Sequence, residues 1–159
     1  MSQIDTDRLI WIVVGIQLNA ELGDRPLAYR VEQALREKLA ARFGKPDAGE
    51  LPKFSPAVIT DVYYLNDADA QKRPAVSVGG PGVNALSALL TDKLPTPVAI
   101  ENTLVVQMDL DFADHRCAVW GMTHLDTVRA VELFLGKGYL DLFLDGVLPK
   151  PEQPEPEQT

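Results

Sequence analysis

Residues Leu9-Ile10-Trp11-Ile12-Val13-Val14-Gly15-Ile16 form a continuous apolar run rich in β-branched side chains. A strand buried on both faces has this pattern, which predicts a central strand of a mostly parallel sheet. The stretch Gln17 to Gly23 reads as a loop, after which Asp24 reads as an N-cap with Pro26 in the first helical turn. Leu27, Val31, Ala34, Leu35 and Leu39 then share one helical face, and Arg30, Glu32, Arg36, Glu37 and Lys38 cover the other. Gly44 and Pro46 stop this helix.

Lys45 to Pro56 has no apolar period and reads as a loop. Ala57 to Leu65 predicts a second strand, and Pro74 opens a third that runs into Gly79-Gly80-Pro81-Gly82-Val83-Asn84. A helix follows from Ala85 to about Lys93, and Pro95 and Pro97 exclude helix beyond it. Val98-Ala99-Ile100 and Thr103 to Met108 flank Glu101-Asn102, which predicts a hairpin or a kinked strand. Cys117 to Trp120 is a last short strand ending at Gly121. Thr123 caps the next helix with Asp126 three residues on, Leu125, Val128, Val131 and Leu135 give it a buried face, and Gly136 ends it. Tyr139 to Val147 is a short amphipathic helix.

Strand–helix units therefore fall at 9–43, 74–93 and 116–135. Joined by right-handed crossovers they predict an α/β three-layer sandwich with a mostly parallel sheet, an antiparallel edge from 98–108, and about three to four helices. Ligands in such sheets sit beyond the carboxyl ends of the strands. That rule gathers three loops: Gln17–Gly23, Gly79–Asn84 and Gly121–Thr127.

Composition narrows the picture. The chain has 159 residues, 46% of them apolar, which suits one domain over residues 1–148. The last eleven residues hold four prolines and three glutamates and are expected to be disordered. With 23 acidic against 15 basic side chains the formal net charge is −8, and no Lys/Arg cluster interrupts it. Such a surface repels phosphate backbones and anionic lipid, so neither nucleic acid nor membrane is expected as a partner. The longest apolar run, Leu9 to Leu18, is too short to span a bilayer. Asp5 and Asp7 precede it in place of the basic run of a secretory signal, and Cys117 is the single cysteine. A cytoplasmic protein is expected.

The glycine-rich junction after the third strand carries the most chemistry. Glycines there let backbone N–H groups approach a guest, and the following helix start presents a positive dipole end that suits an anion. The loop lacks the Lys-Ser/Thr pair of a P-loop and the spacing of a dinucleotide-binding fingerprint, and Asn84 alternatively serves only as a helix cap. The junction Gly121-Met122-Thr123-His124-Leu125-Asp126-Thr127 occupies the equivalent point of another unit. His124 could act there as a general base oriented by Asp126, or be a solvated first-turn residue beside two caps. Gln17 and Asn19 follow the central strand and are candidates to line the same crevice.

Three further features carry less. Asp109 and Asp111, with Asp114 and His115, offer hard-cation ligands, although Asp-rich turns between strands are common. Cys117 lacks a CxxC partner and reads as a buried apolar residue; only His115 or His124 could activate it. Ser77 and Ser87 lack the Gly-x-Ser-x-Gly elbow of hydrolases. No cofactor follows from any of these patterns.

The Gly79-Gly80-Pro81-Gly82-Val83-Asn84 turn after a strand, with the later Gly121…Asp126-Thr127…Ala130 helix start, resembles paired motifs in α/β domains of archaeal surface-layer proteins. Those domains carry a Gly-Gly-Pro-x-x-Asn turn and a Gly…Asp-Thr…Ala segment, and the match covers about a third of this chain. The resemblance implies that the two loops face each other as a structural pair, without known catalysis. The N-terminal strand and long helix have no counterpart in it.

Three functional readings follow. The first is a non-catalytic α/β module that binds a partner or small anionic ligand at Gly79, Gly80, Gly82, Asn84, Gly121, Thr123, His124 and Thr127, with Gln17 and Asn19. The second is an enzyme with His124 as base, Asp126 as its orienter and the glycine loop as an anion or oxyanion site. The third is a subunit of a homo-oligomer that uses Tyr139, Phe143 and Leu144 of the terminal helix as an interface.

Overall fold

A computed structural model describes residues 6–96, 98–100 and 103–150. Its centre is β1 (Leu9–Val14), in which Ile10, Ile12, Val13 and Val14 have no exposed surface. Both faces are covered, as the unbroken apolar run requires. β2 (Ser55–Thr60) lies parallel on one side of β1, and β3 (Ala75–Val78) lies parallel on the other. β6 (Arg116–Gly121) runs parallel beside β3. The sheet finishes with an antiparallel edge, β5 (Leu104–Met108) against β6 and β4 (Val98–Ile100) against β5. The order is β2-β1-β3-β6-β5-β4.

Helices cover both faces. Ile10, Ile12 and Val14 point toward α1 (Arg25–Phe43), α4 (His124–Gly136) and α5 (Tyr139–Val147), in one core with Leu35, Val131, Phe134 and Phe143. Trp11 and Val13 point to the opposite face, into a smaller core with Tyr64 of α2 (Asp61–Asn66) and Leu86 and Leu90 of α3 (Ala85–Thr91). The period-two alternation of β1 thus feeds two cores and gives the three layers. No described helix is long and apolar enough to cross a membrane.

Four sequence expectations change. Ala57–Leu65 is not one strand, because β2 ends at Thr60 and α2 begins at Asp61. The Thr60 hydroxyl accepts the Tyr63 N–H at 3.3 Å, and burial falls on Tyr64 while Val62 and Tyr63 stay outside. The β-prone side chains are overridden by a cap and one buried ring.

Asp24 is no cap. The chain is already helical from Leu18, and residues Ala20–Asp24 form a π-turn that continues into α1. Asp24 has helical dihedrals and no capping hydrogen bond. Pro26 lacks an N–H and its ring crowds the carbonyl four residues back, and a local widening of the helix relieves both.

The apolar face of α5 is not free for a partner. Leu140, Phe143 and Leu144 are fully buried in the main core and Tyr139 packs against it. Finally, the loop after Asp109 is a structural turn. The Asp109 carboxylate accepts the N–H groups of Asp111, Ala113 and Asp114 at 3.0–3.1 Å. Asp114 is instead paired with the Arg116 guanidinium through two 2.8 Å bonds, which lowers its pKa. Among the described residues no three His, Cys, Asp or Glu side chains converge on a metal position, and the Asp109 and Asp114 carboxylates are taken up by the turn's own N–H groups and by Arg116. The expectation of disorder for 149–159 falls, beyond Lys150, outside the described residues.

Candidate functional site

The chain leaves β1 for β2 on one side and returns to β3 on the other, so the strand order reverses between β1 and β3. The segments that follow those two strands depart toward opposite faces, and a crevice opens at their carboxyl ends. It has a volume of about 620 Å³ and draws on three segments: Asn19 and Leu22–Asp24, Gly80–Val83, and Trp120–His124 with Thr127.

Glycines set its walls. A Cβ on Gly80 would stand 3.6 Å from both the Gly121 carbonyl and Trp120 Cε3, so the two glycine junctions touch. Gly121 in turn lies against the first turn of α4, where a Cβ would overlap Asp126. The Thr127 hydroxyl accepts the Gly121 N–H at 3.1 Å and donates to the Thr123 carbonyl at 3.2 Å, locking that approach. Thr123 Oγ1 accepts the Asp126 N–H at 3.1 Å, so the predicted cap forms.

Asn84 does not line the crevice. Its Oδ1 accepts the N–H groups of Leu86 and Ser87 at 3.0 and 3.3 Å, and its Nδ2 donates to the carbonyls of Val13 and Val78, both at 3.0 Å. Fully buried, it ties β1, β3 and α3 together. Asp61 completes the job, its Oδ2 accepting the Ala85 N–H at 2.8 Å. The amides of α3 expected to hold an anion are therefore already hydrogen-bonded within the protein. This corrects Asn84 as a ligand contact and α3 as the anion-binding end. Gln17 also lies away from the crevice: it is exposed, and its carbonyl opens the following turn by accepting the Glu21 N–H at 3.0 Å.

Gly79 is turned toward Asp24. It adopts φ +108°, open to glycine, and a Cβ there would stand 2.5 Å from Asp24 Oδ2. Asp24 is only 6% exposed and lines the crevice. Its carboxylate has no hydrogen bond or ion pair among the described residues. Burial pushes its pKa up, and the attraction of His124 works against that rise.

His124 sits exposed at the mouth, with Nδ1 where a Cβ on Gly23 would come within 2.8 Å. Asp126 is not its orienting partner. The Asp126 carboxylate accepts the Thr123 hydroxyl at 2.9 Å and faces the Arg129 guanidinium at 3.5 Å. The carboxylate that His124 acts on is Asp24, a residue the sequence presents as a cap.

The sequence reading also missed the apolar wall, made by Leu22, Pro81, Val83, Trp120 and Met122. Trp120 and Met122 flank Gly121, so their neighbourhood was legible even where their role was not. No lysine or arginine lines the crevice. Other candidates are structural: Ser77 and Ser87 bond each other at 2.7 Å between β3 and α3, and burial pushes the Cys117 thiol well up.

No protein-family model matches this chain, and no curated protein matches it.

Proposed function

We propose that this chain is a non-catalytic small-ligand module whose site is the crevice beyond β1, β3 and β6. The observation that carries the reading is Asp24, a largely buried carboxylate that makes no hydrogen bond or ion pair among the described residues and stands in the wall of a hollow of about 620 Å³. Burying a charge without a partner is costly, so such a group points to a guest that supplies one. The non-catalytic form is supported by the contacts that hold both glycine junctions, which use their polar groups within the protein. The Gly79–Asn84 turn ends in the Asn84 cap, and the Gly121–Thr127 junction is locked by the Thr127 hydroxyl.

The enzyme alternative needs an oriented base, and the His124–Asp126 pair it called for is not formed. A protein partner or second copy would meet the exposed apolar side chains Ile16, Leu18, Leu22, Met122 and Leu125, all more than half exposed.

Gly82 supplies the test. A Cβ there meets nothing within 4 Å, so Gly82→Val is expected to add bulk to the crevice wall, with the melting temperature as the check that the fold is kept. In a fragment library followed by amide chemical shifts, binders are expected to move Gly23, Gly80 and Gly121 together, and Gly82→Val to remove the effect. Binders that act elsewhere, or that are indifferent to Gly82→Val, contradict the reading.

A further inference from the structure

Resting on the crevice as a binding site, we infer that its ligand is a cation, a protonated amine or amidinium carried on a flat apolar body, with Asp24 as the anchor for the charge. Three observations converge on that chemistry.

The first is the anchor itself. Asp24 is more than nine-tenths buried, belongs to the crevice wall, and makes no hydrogen bond or ion pair among the described residues. The adjacent Arg25 is turned elsewhere, its Nε bonding Glu21 at 3.0 and 3.1 Å, and His124, whose attraction Asp24 senses, makes no hydrogen bond or ion pair with it. A carboxylate held this way is satisfied by an N–H-bearing cation from outside, and charge-assisted bonds of that kind are short and strong. The π-turn is what puts it there. Were Ala20–Asp24 ordinary α-helix, every later residue would turn by a different angle about the helix axis, and Asp24 would leave the crevice wall.

The second is the sign of everything around it. Not one lysine or arginine lines the crevice, and the α3 amides that would have welcomed an anion are held by Asp61 and Asn84. An anionic guest would approach Asp24 with His124 at the mouth but no lysine or arginine among the described lining residues to offset the repulsion.

The third is shape. Trp120 presents the benzo edge of its indole toward Gly80, and Leu22, Pro81, Val83 and Met122 extend an apolar surface from it. Gly82, whose Cβ position meets nothing within 4 Å, leaves room for a ring to lie against backbone. An aromatic ring buries area there against the indole edge, while a cation on it reaches inward to the carboxylate.

One body with three charges tests this. Tryptamine, 3-ethylindole and indole-3-propionate share an indole and differ in carrying a cationic, a neutral and an anionic chain. Titrated calorimetrically into the full chain at neutral pH, with amide shifts recorded in parallel, tryptamine is expected to bind about tenfold more tightly than 3-ethylindole. Indole-3-propionate is expected to bind most weakly, and Asp24→Asn to bring tryptamine down to 3-ethylindole. Should indole-3-propionate bind the crevice as tightly as tryptamine, the cationic assignment is overturned while the crevice stands as a site. Should none of the three move Gly23, Gly80 or Gly121, both the assignment and the site fall. The ranking in the wild type decides the matter even if Asp24→Asn does not fold.

Discussion

Gly15 lies directly against the carbonyl of Val83, so close that a Cβ on Gly15 would overlap that oxygen. The end of β1 and the glycine loop after β3 are thereby pressed together, which closes the floor behind the crevice. Gly15→Ala is expected to push the 80–83 loop away and to destabilise the protein by about 1–3 kcal/mol, the usual cost of overpacking. Thermal denaturation reads the loss, and amide shifts confined to 80–84 locate it. An unchanged melting temperature would mean that the loop is free to move.

Asn84 gives a larger effect. Asn84→Ala removes a helix cap and leaves the Val13 and Val78 carbonyls without their donor, for a loss of about 2–4 kcal/mol. Asn84→Asp keeps the capping oxygen but turns an acceptor toward two carbonyls. Chemical denaturation is expected to rank it no better than Asn84→Ala, whereas a purely capping role would make it nearly neutral.

Two carboxyls respond to pH in opposite directions. The raised pKa of Asp24 means that its neutral form contributes stability fully present below its ordinary value near 3.8 and lost as pH rises through the folded value. The lowered pKa of Asp114 beside Arg116 contributes stability present above 3.8 and lost as pH falls through its folded value. Melting followed across pH is expected to give Asp24→Asn its gain over wild type on the neutral side. Asp114→Asn is expected to show its deficit there and to lose it in acid. The same sign for both variants would contradict the assigned environments.

Phe143 separates core from interface. It is fully buried in the main core, so Phe143→Ala is expected to cost about 3–5 kcal/mol and to leave the sedimentation coefficient of the folded protein unchanged. A variant that melts normally but sediments as a smaller species would restore α5 as a contact between subunits.

Much of the fold was legible. The unbroken apolar run of β1 announced a strand covered on both faces, and glycine and proline marked the ends of α1 and α4. The three loops could be gathered because a parallel sheet delivers consecutive units to one edge. What could not be read was local competition. Val62-Tyr63-Tyr64-Leu65 favours a strand by composition, yet a Thr60 cap and burial of the Tyr64 ring make it helix. Asp24 two residues before Pro26 looks like a cap in any one-dimensional reading. Only the π-turn, a three-dimensional answer to a proline, carries it inward to the crevice. For the same reason the sequence pointed to Asp126 rather than Asp24 as the acid near His124. Phe112 shows a further limit: its φ of +52° goes with a ring seated against Gly146, a packing no pattern announces.

The most direct measurement is a crystal structure of the full chain soaked with tryptamine. The ring is expected over Gly80–Gly82 against Trp120, with the ammonium within hydrogen-bond reach of the Asp24 carboxylate. Density for the ligand elsewhere, as in the hollow of about 250 Å³ beside Phe43 and Phe54, with the crevice empty, would contradict the account.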